Sequence, residues 1–341
     1  MRGLLKMILV GAGCAAIAAH AASEEDVKAL AQKAAGKYAS AWQELERLAG
    51  EGDGLAAHYL GLLYLRGQGV RQDEARAIEW FRKSADLGRA DSAHNLGVIY
   101  ERSRTRKDLK EARRWYALAA DKGYAASQAN LGSLLAEGLG GPADLDQARF
   151  WIEKAAAQGN PRGRYLLGML TLEGRAGIAR DEAEAARLIQ SAAEGGDRDA
   201  EFRIAVMIGN GQGVKRDDER ALDWLRKAAA KRQAEALLLL AAVYTRGLYG
   251  VKKDEKAAAE YLRSSAREDN AEAAYQLGIA YHEGRGVAKD DREALGWLLQ
   301  ASRQGHPRAM AIVQRIESGL HKAPSAEEKA GDKPDDKGKK E

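Results

Sequence analysis

The chain has 341 residues and a formal net charge of +4, with 54 basic and 50 acidic side chains mixed along its length. That balance excludes a general nucleic-acid binder, which needs a concentrated basic face. A single cysteine, Cys14, excludes a disulfide framework. Ala, Leu, Glu, Lys and Arg dominate and Phe is rare, so the composition points to helices.

Residues 1–22 read as a signal peptide. Arg2 and Lys6 flank an apolar run from Leu4 to Ala19, and the small residues around Ala19-His20-Ala21 suit cleavage near Ala21 or Ala22. The run is too short to span a bilayer comfortably. The expectation is export, with a periplasmic location, secretion as an alternative, and no transmembrane span in the mature chain. A second alternative takes Gly11-Ala12-Gly13-Cys14 as a lipobox, which makes the product an outer-membrane lipoprotein acylated on Cys14.

Residues 23–54 form two amphipathic helical segments. Val27, Leu30, Ala31 and Ala34 share one face, and Trp42, Leu45, Leu48 and Ala49 another. They lie outside the repeat that follows, as an N-terminal capping unit does. Residues 55–305 then repeat one grammar seven times. A Leu-Gly pair or its equivalent begins at positions 60, 96, 131, 167, 204, 240 and 277, in steps of 35 to 37 residues. At the fifth and sixth copies the pair is Ile204-Ala205 and Leu240-Ala241. A fixed period of this size marks a repeat array, and each unit reads as two helices.

The start of the second helix is the most regular feature. Asp73, Asp108, Asp144, Asp181, Asp217, Asp254 and Asp290 each stand four residues before an Ala in the same register. Asp is a preferred helix N-cap and complements the helix dipole, so these acids are predicted as structural caps, not catalysts. Glu111, Gln147, Glu184 and Glu293 sit where a capping box needs them. Three residues after each Ala stands a bulky residue, Trp80, Trp115, Trp151, Leu188, Trp224, Tyr261 or Trp297, predicted as the packing anchor. Residues 306–321 form a C-terminal capping helix, with Met310, Val313 and Ile316 expected on its buried side. The last segment, 322–341, has six Lys, six acids and no large apolar residue, so it is expected to be disordered.

The unit A-x-x-L-G-x-x-Y-x-x-G-x-G-V-x-x-D-x-x-x-A-x-x-W resembles the Sel1-like repeat, a relative of the tetratricopeptide repeat. Residues 271–305 and 55–88 match it almost throughout, and 200–232 more loosely. The resemblance implies an all-α, right-handed αα-superhelical solenoid of seven repeats with capping helices, and a non-enzymatic scaffold that binds a protein or peptide, here in the cell envelope. Some bacterial relatives carry a disulfide in each repeat, a feature this chain lacks. Some were once linked to β-lactams, but a shared fold does not carry an activity.

Chemistry-bearing motifs are few. Gly67-Gln68-Gly69 and Gly211-Gln212-Gly213 follow no predicted strand and recur at one repeat position, so they are turns and not a phosphate cradle. No GxxxxGK, HExxH, GxSxG or SxxK is present. The sequence therefore points to no enzyme, no cofactor and no metal. His58 and His94 share a register in adjacent copies, but no carboxylate occupies that row to complete a zinc site. The rest of the row is Ala129, Tyr165, Phe202, Leu238 and Tyr275. By analogy with tetratricopeptide arrays it faces the concave groove, with exposed neighbours that include Leu172, Gly209, Arg66, Arg102, Arg246 and His282. His58, Arg66, His94, Arg102, Tyr165, Phe202, Arg246, Tyr275 and His282 are accordingly the candidate partner-binding set. Two other readings stand beside it: the aromatics pack between repeats, or they stack on sugars of a cell-wall or exopolysaccharide glycan. A β-lactam or peptidoglycan hydrolase is a third, weaker reading. In the second copy the turn Arg102-Ser103-Arg104-Thr105-Arg106-Lys107 lacks Gly and is basic, either a solvated turn or a dock for an acidic segment or anionic lipid.

Overall fold

The structure, a computed structural model, describes residues 22–36, 38–103 and 107–320. Residues 1–21, where a signal peptide and Cys14 are expected, Lys37, Arg104 to Arg106 and the charged tail from His321 lie outside the described residues. Among those described, the regular structure is seventeen α-helices and no strand. The chain divides into two compact units, Met1–Asp108 and Leu109–Glu341.

The first unit holds α1 (Glu24–Ala35), α2 (Ala39–Gly50), α3 (Gly54–Arg66), α4 (Glu74–Asp86) and α5 (Ala90–Arg102). Ser23 caps α1 with Asp26 in a reciprocal capping box. Val27, Ala31, Leu45 and Ala49 are buried together with Ala56 and Leu60 of α3, so the two N-terminal helices cover the first repeat. The second unit holds α6 (Leu109–Asp121), α7 (Ala125–Glu137), α8 (Leu145–Ala157), α9 (Pro161–Glu173), α10 (Glu182–Glu194) and α11 (Arg198–Asn210). It continues through α12 (Asp218–Ala230), α13 (Ala234–Arg246), α14 (Glu255–Arg267), α15 (Ala271–Glu283), α16 (Asp291–Arg303) and α17 (Ala309–Leu320). Within each unit, each helix packs on the next along the chain, the stacked hairpins of an αα-solenoid.

Every turn between the two helices of a copy is built alike. The first helix ends on a left-handed glycine, Gly67, Gly138, Gly174, Gly211, Gly247 or Gly284. In the second copy Ser103 takes that place in an extended conformation. The backbone N–H of each cap aspartate then returns to the last turn of the first helix. Asp73, Asp108, Asp144, Asp181, Asp217, Asp254 and Asp290 donate to the carbonyls of Tyr64, Tyr100, Leu135, Thr171, Ile208, Tyr244 and Tyr281. The Asp144 and Asp217 carboxylates accept from Gln147 N and Arg220 N at 3.0 Å, and those of Asp73, Asp181, Asp254 and Asp290 cap their helices in the same way. Glu184 instead turns outward to Arg187, so the box expected at α10 is not closed from its side. First helices have caps of their own that the sequence analysis does not identify: Asp53, Asn160, Asp197, Gln233 and Asn270.

Two expectations need correction. The closest approach within a copy is not made by the Trp row but by the next residue, which is fully buried: Phe81, Ile152, Ile189, Leu225 and Leu298. A Cβ on Gly61, Gly132, Gly168 or Gly278 would come within 2.7, 2.5, 2.6 and 2.6 Å of Phe81, Ile152, Ile189 and Leu298 respectively. The Trp side chains, Trp115 excepted, are half-buried because one helical step turns them toward the edge of the hairpin. At the C-terminus Val313 and Ile316 pack on Ala294 and Leu298, whereas Met310 is 45% exposed.

Candidate functional site

The structure brings three of the nine candidate residues together. Arg246 of α13 and Tyr275 and His282 of α15 line one cleft of about 680 Å³ in the second unit, closed on its far side by α14 and α17. Its floor is apolar, from Ala242, Ile279 and Ile312. Arg246 stands exposed at the end of α13, where a cation also suits the helix dipole. His282 Nδ1–H donates to the Asp291 carboxylate at 2.5 Å, across the turn that joins α15 to α16.

Tyr275 is held from outside its own helix. His306 stacks on its ring at 4.1 Å between centroids and 16° between planes. The His306 ring donates through Nε2 to Glu272 at 3.0 Å, and its Nδ1 is buried without a partner. Burial works against the Glu272 carboxylate, but hydrogen bonds from Gln276 and His306 outweigh it and hold its pKa below the usual range. Sequence reasoning missed His306, although a signal was present. His306 occupies the register where Asp53, Asn160, Asp197 and Asn270 cap the next first helix, and no further repeat follows it. Arg315 of α17 and Glu255 of α14, also missed, complete the charged rim; Arg285 on that rim is paired with Glu283 at 2.6 Å.

The other candidates lie elsewhere. His58 is corrected from groove to core: it is 8% exposed, and its Nδ1 lies 2.7 Å from Ser92 Oγ. Ser92 donates to Ser84, which donates to the Gly54 carbonyl, so Ser92 is left to accept and Nδ1 carries the proton. Burial lowers the His58 pKa, with the Asp91 carboxylate opposing. His94 is half-buried on α5, and burial lowers its pKa as well. Arg66 and Arg102 are exposed at the ends of α3 and α5. Tyr165 is half-buried under Arg162, whose guanidinium lies 5.1 Å from the ring centroid, and burial raises its hydroxyl pKa. Its ring packs on the cluster around Ile189 and Ile204, and Phe202 on that around Leu222, Leu225 and Leu237. The row that looked like a groove floor is thus largely the seam between copies. Leu172 and Gly209, expected to be exposed, are buried; the Tyr249 hydroxyl fills the space over Gly209.

The chain as a whole resembles known proteins. The chain is 28% identical to a Sel1 repeat protein from Oxalobacter formigenes, over 87% of this chain and 88% of that one, with a TM-score of 0.60. It is 30% identical to c5321, a protective antigen of uropathogenic Escherichia coli with an SLR fold, over 88% of this chain and 65% of that one, with a TM-score of 0.57. An 84-residue stretch is 38% identical to HRD3A of Arabidopsis thaliana, a component of an ERAD-associated E3 ubiquitin-protein ligase; it spans 24% of this chain and 12% of that relative. The Sel1 repeat profile matches seven times, at residues 54–88, 90–124, 125–160, 161–197, 198–232, 234–270 and 271–306. With that profile covering most of the chain and the helix pairs in matching register, the protein belongs to the Sel1 repeat family.

Proposed function

We propose that this protein is a non-enzymatic adaptor of the bacterial cell envelope that holds an extended peptide segment of another protein in the cleft of Arg246, Tyr275 and His282. Sel1 repeat proteins generally mediate protein–protein interaction and are generally non-catalytic. The observation that carries the reading is the cleft itself. An apolar floor, one aromatic fixed by stacking and a rim of charges of both signs match what a peptide backbone with mixed side chains presents. The envelope location rests on the signal-like segment of residues 1–22. The glycan reading is not favoured, because a sugar needs an open aromatic face. Tyr275 has one face taken by His306, Tyr165 lies under Arg162, and Phe202, half-buried, packs against the cluster of Leu222, Leu225 and Leu237.

The test is site-specific photocrosslinking in cells from Ile279 on the cleft floor. A discrete protein adduct is expected in the envelope fraction, and it should disappear when Arg246→Glu and Tyr275→Ala are combined. No adduct, or an adduct indifferent to both substitutions, removes the cleft as the binding site. Recovery of the protein in the cytoplasmic fraction removes the envelope part alone.

A further inference from the structure

On the second helices, two positions that carry mostly charged or small residues in the other copies bring an exposed aromatic and a lysine together in the third. Six residues after the cap aspartate the copies carry Glu79, Arg114, Phe150, Arg187, Asp223, Glu260 and Gly296. Ten residues after it they carry Lys83, Leu118, Lys154, Ser191, Lys227, Ser264 and Gln300. Positions four apart share a helical face, so α6 shows Arg114 beside Leu118, and α8 shows Phe150 beside Lys154. Phe150 is 43% exposed and Leu118 37%.

Phe150 is not loose. Its ring meets Trp151 edge to face, with centroids 4.9 Å apart and planes at 76°. Lys154 Nζ lies 4.3 Å from the Phe150 centroid and 5.2 Å from that of Trp151. Trp151 also walls a recess of about 400 Å³, whose opposite wall is Lys110, Arg113 and Arg114 of α6 and whose base includes Leu131 and Leu135. Most acids of this face are engaged; Asp146, one turn before Phe150, is exposed, which leaves the rim with an excess of positive charge but not free of acid. Glu111 faces Arg114 at 3.5 Å, Glu153 binds Arg149 at 2.7 Å, and Asp144 caps α8. Arg113 spends one N–H on the neutral Pro142 carbonyl, and Lys154 lies over the Phe150 and Trp151 rings. The result is an aromatic shelf and an apolar-based recess under a net positive rim.

We propose that the α6–α8 face is a second docking site, for an acidic protein segment that carries an aromatic or long aliphatic side chain. The carboxylates answer Arg113 and Lys154, and the apolar side chain lies on Phe150 and Trp151 and enters the recess. A recess accepts a side chain, whereas a bilayer is met by protruding apolar residues, so the geometry favours a peptide over a lipid surface. The site shares no residue with the cleft of Arg246 and stands whether or not that cleft binds a partner. Two separate sites on one chain make it a bridge between two partners.

The test is fluorescence anisotropy of the full chain with a labelled glutamate-rich peptide carrying a central Phe-Leu pair. A lysine-for-glutamate version, a version with Ser-Ser in place of Phe-Leu, and phosphatidylglycerol vesicles are run beside it. Saturable binding of the first peptide alone is expected, weakened about tenfold by Phe150→Glu and by Lys154→Ser and unchanged by Tyr275→Ala. Both variants install residues that other copies carry at these positions, Glu79 and Glu260 for the first and Ser191 and Ser264 for the second, so the helix should fold normally. No binding of the acidic peptide, affinity untouched by either variant, or binding confined to vesicles overturns the proposal.

Discussion

Substituting Ala for Gly132 sets two effects of opposite sign against each other. In an exposed helix, Gly→Ala stabilises by about 1 kcal/mol. At Gly132 the new Cβ would lie 2.5 Å from Ile152 Cγ1 and 3.2 Å from the Ala148 carbonyl oxygen. An ordinary carbon–carbon contact is roughly 3.5–4.0 Å, so α7 and α8 must separate by about 1 Å or Ile152 must leave its rotamer. Ile152 is fully buried and β-branched, and its χ1 is stiff in a helix. Overpacking of this kind costs about 1–3 kcal/mol, and the crowding on two sides places it near the upper end. The expected net effect of Gly132→Ala is a loss of about 2 kcal/mol. The chain contains its own control, since the fifth and sixth copies have Ala205 and Ala241 opposite Leu225 and Leu262. Adding Ile152→Leu to Gly132→Ala recreates that pair and should recover a large part of the loss. Urea unfolding followed by far-ultraviolet circular dichroism measures all three proteins. A Gly132→Ala variant as stable as the parent, or a double variant no better than the single, would refute the close-approach argument.

Two further outcomes follow from the caps and from the buried histidines. Asp217→Ala removes the acceptor of the Arg220 N–H at 3.0 Å and should cost about 1 kcal/mol, read from the urea midpoint, while Asp217→Asn should cost much less. His58 and His94 have folded pKa values depressed below 6.5 by burial, so the unfolded chain takes up protons first as pH falls. Their contribution to stability is present above about pH 6.5 and is lost progressively below it; replacing both with Asn should flatten the stability–pH profile below about pH 6.5.

Most of the fold was legible because it is local. A cap aspartate, a left-handed glycine and a small residue facing a large one act over a few residues and leave their mark at each recurrence. The anchor was misread by one position for a physical reason. Trp is the largest and most visible residue, but the helix pair closes around the residue whose direction points at the glycine, and direction is a property of the assembled hairpin. The cleft was partly legible in the same sense. Arg246, Tyr275 and His282 stood out because they occupy positions whose residue changes from copy to copy, and the structure places these three on one cleft.

The sequence by itself determined the number of copies, the position of each turn and of the second-helix cap aspartates, and the repeat class, since these follow from spacing and backbone chemistry. Only the tertiary structure decided which variable residues are buried and which line an open cleft. His58 sits in the same register as Tyr275, yet it is buried while the half-buried Tyr275 lines a cleft. The difference lies in what comes next. Each internal copy is covered by its successor, whereas after the seventh His306 settles on Tyr275 instead of capping another helix, and α17 leaves part of the last repeat open.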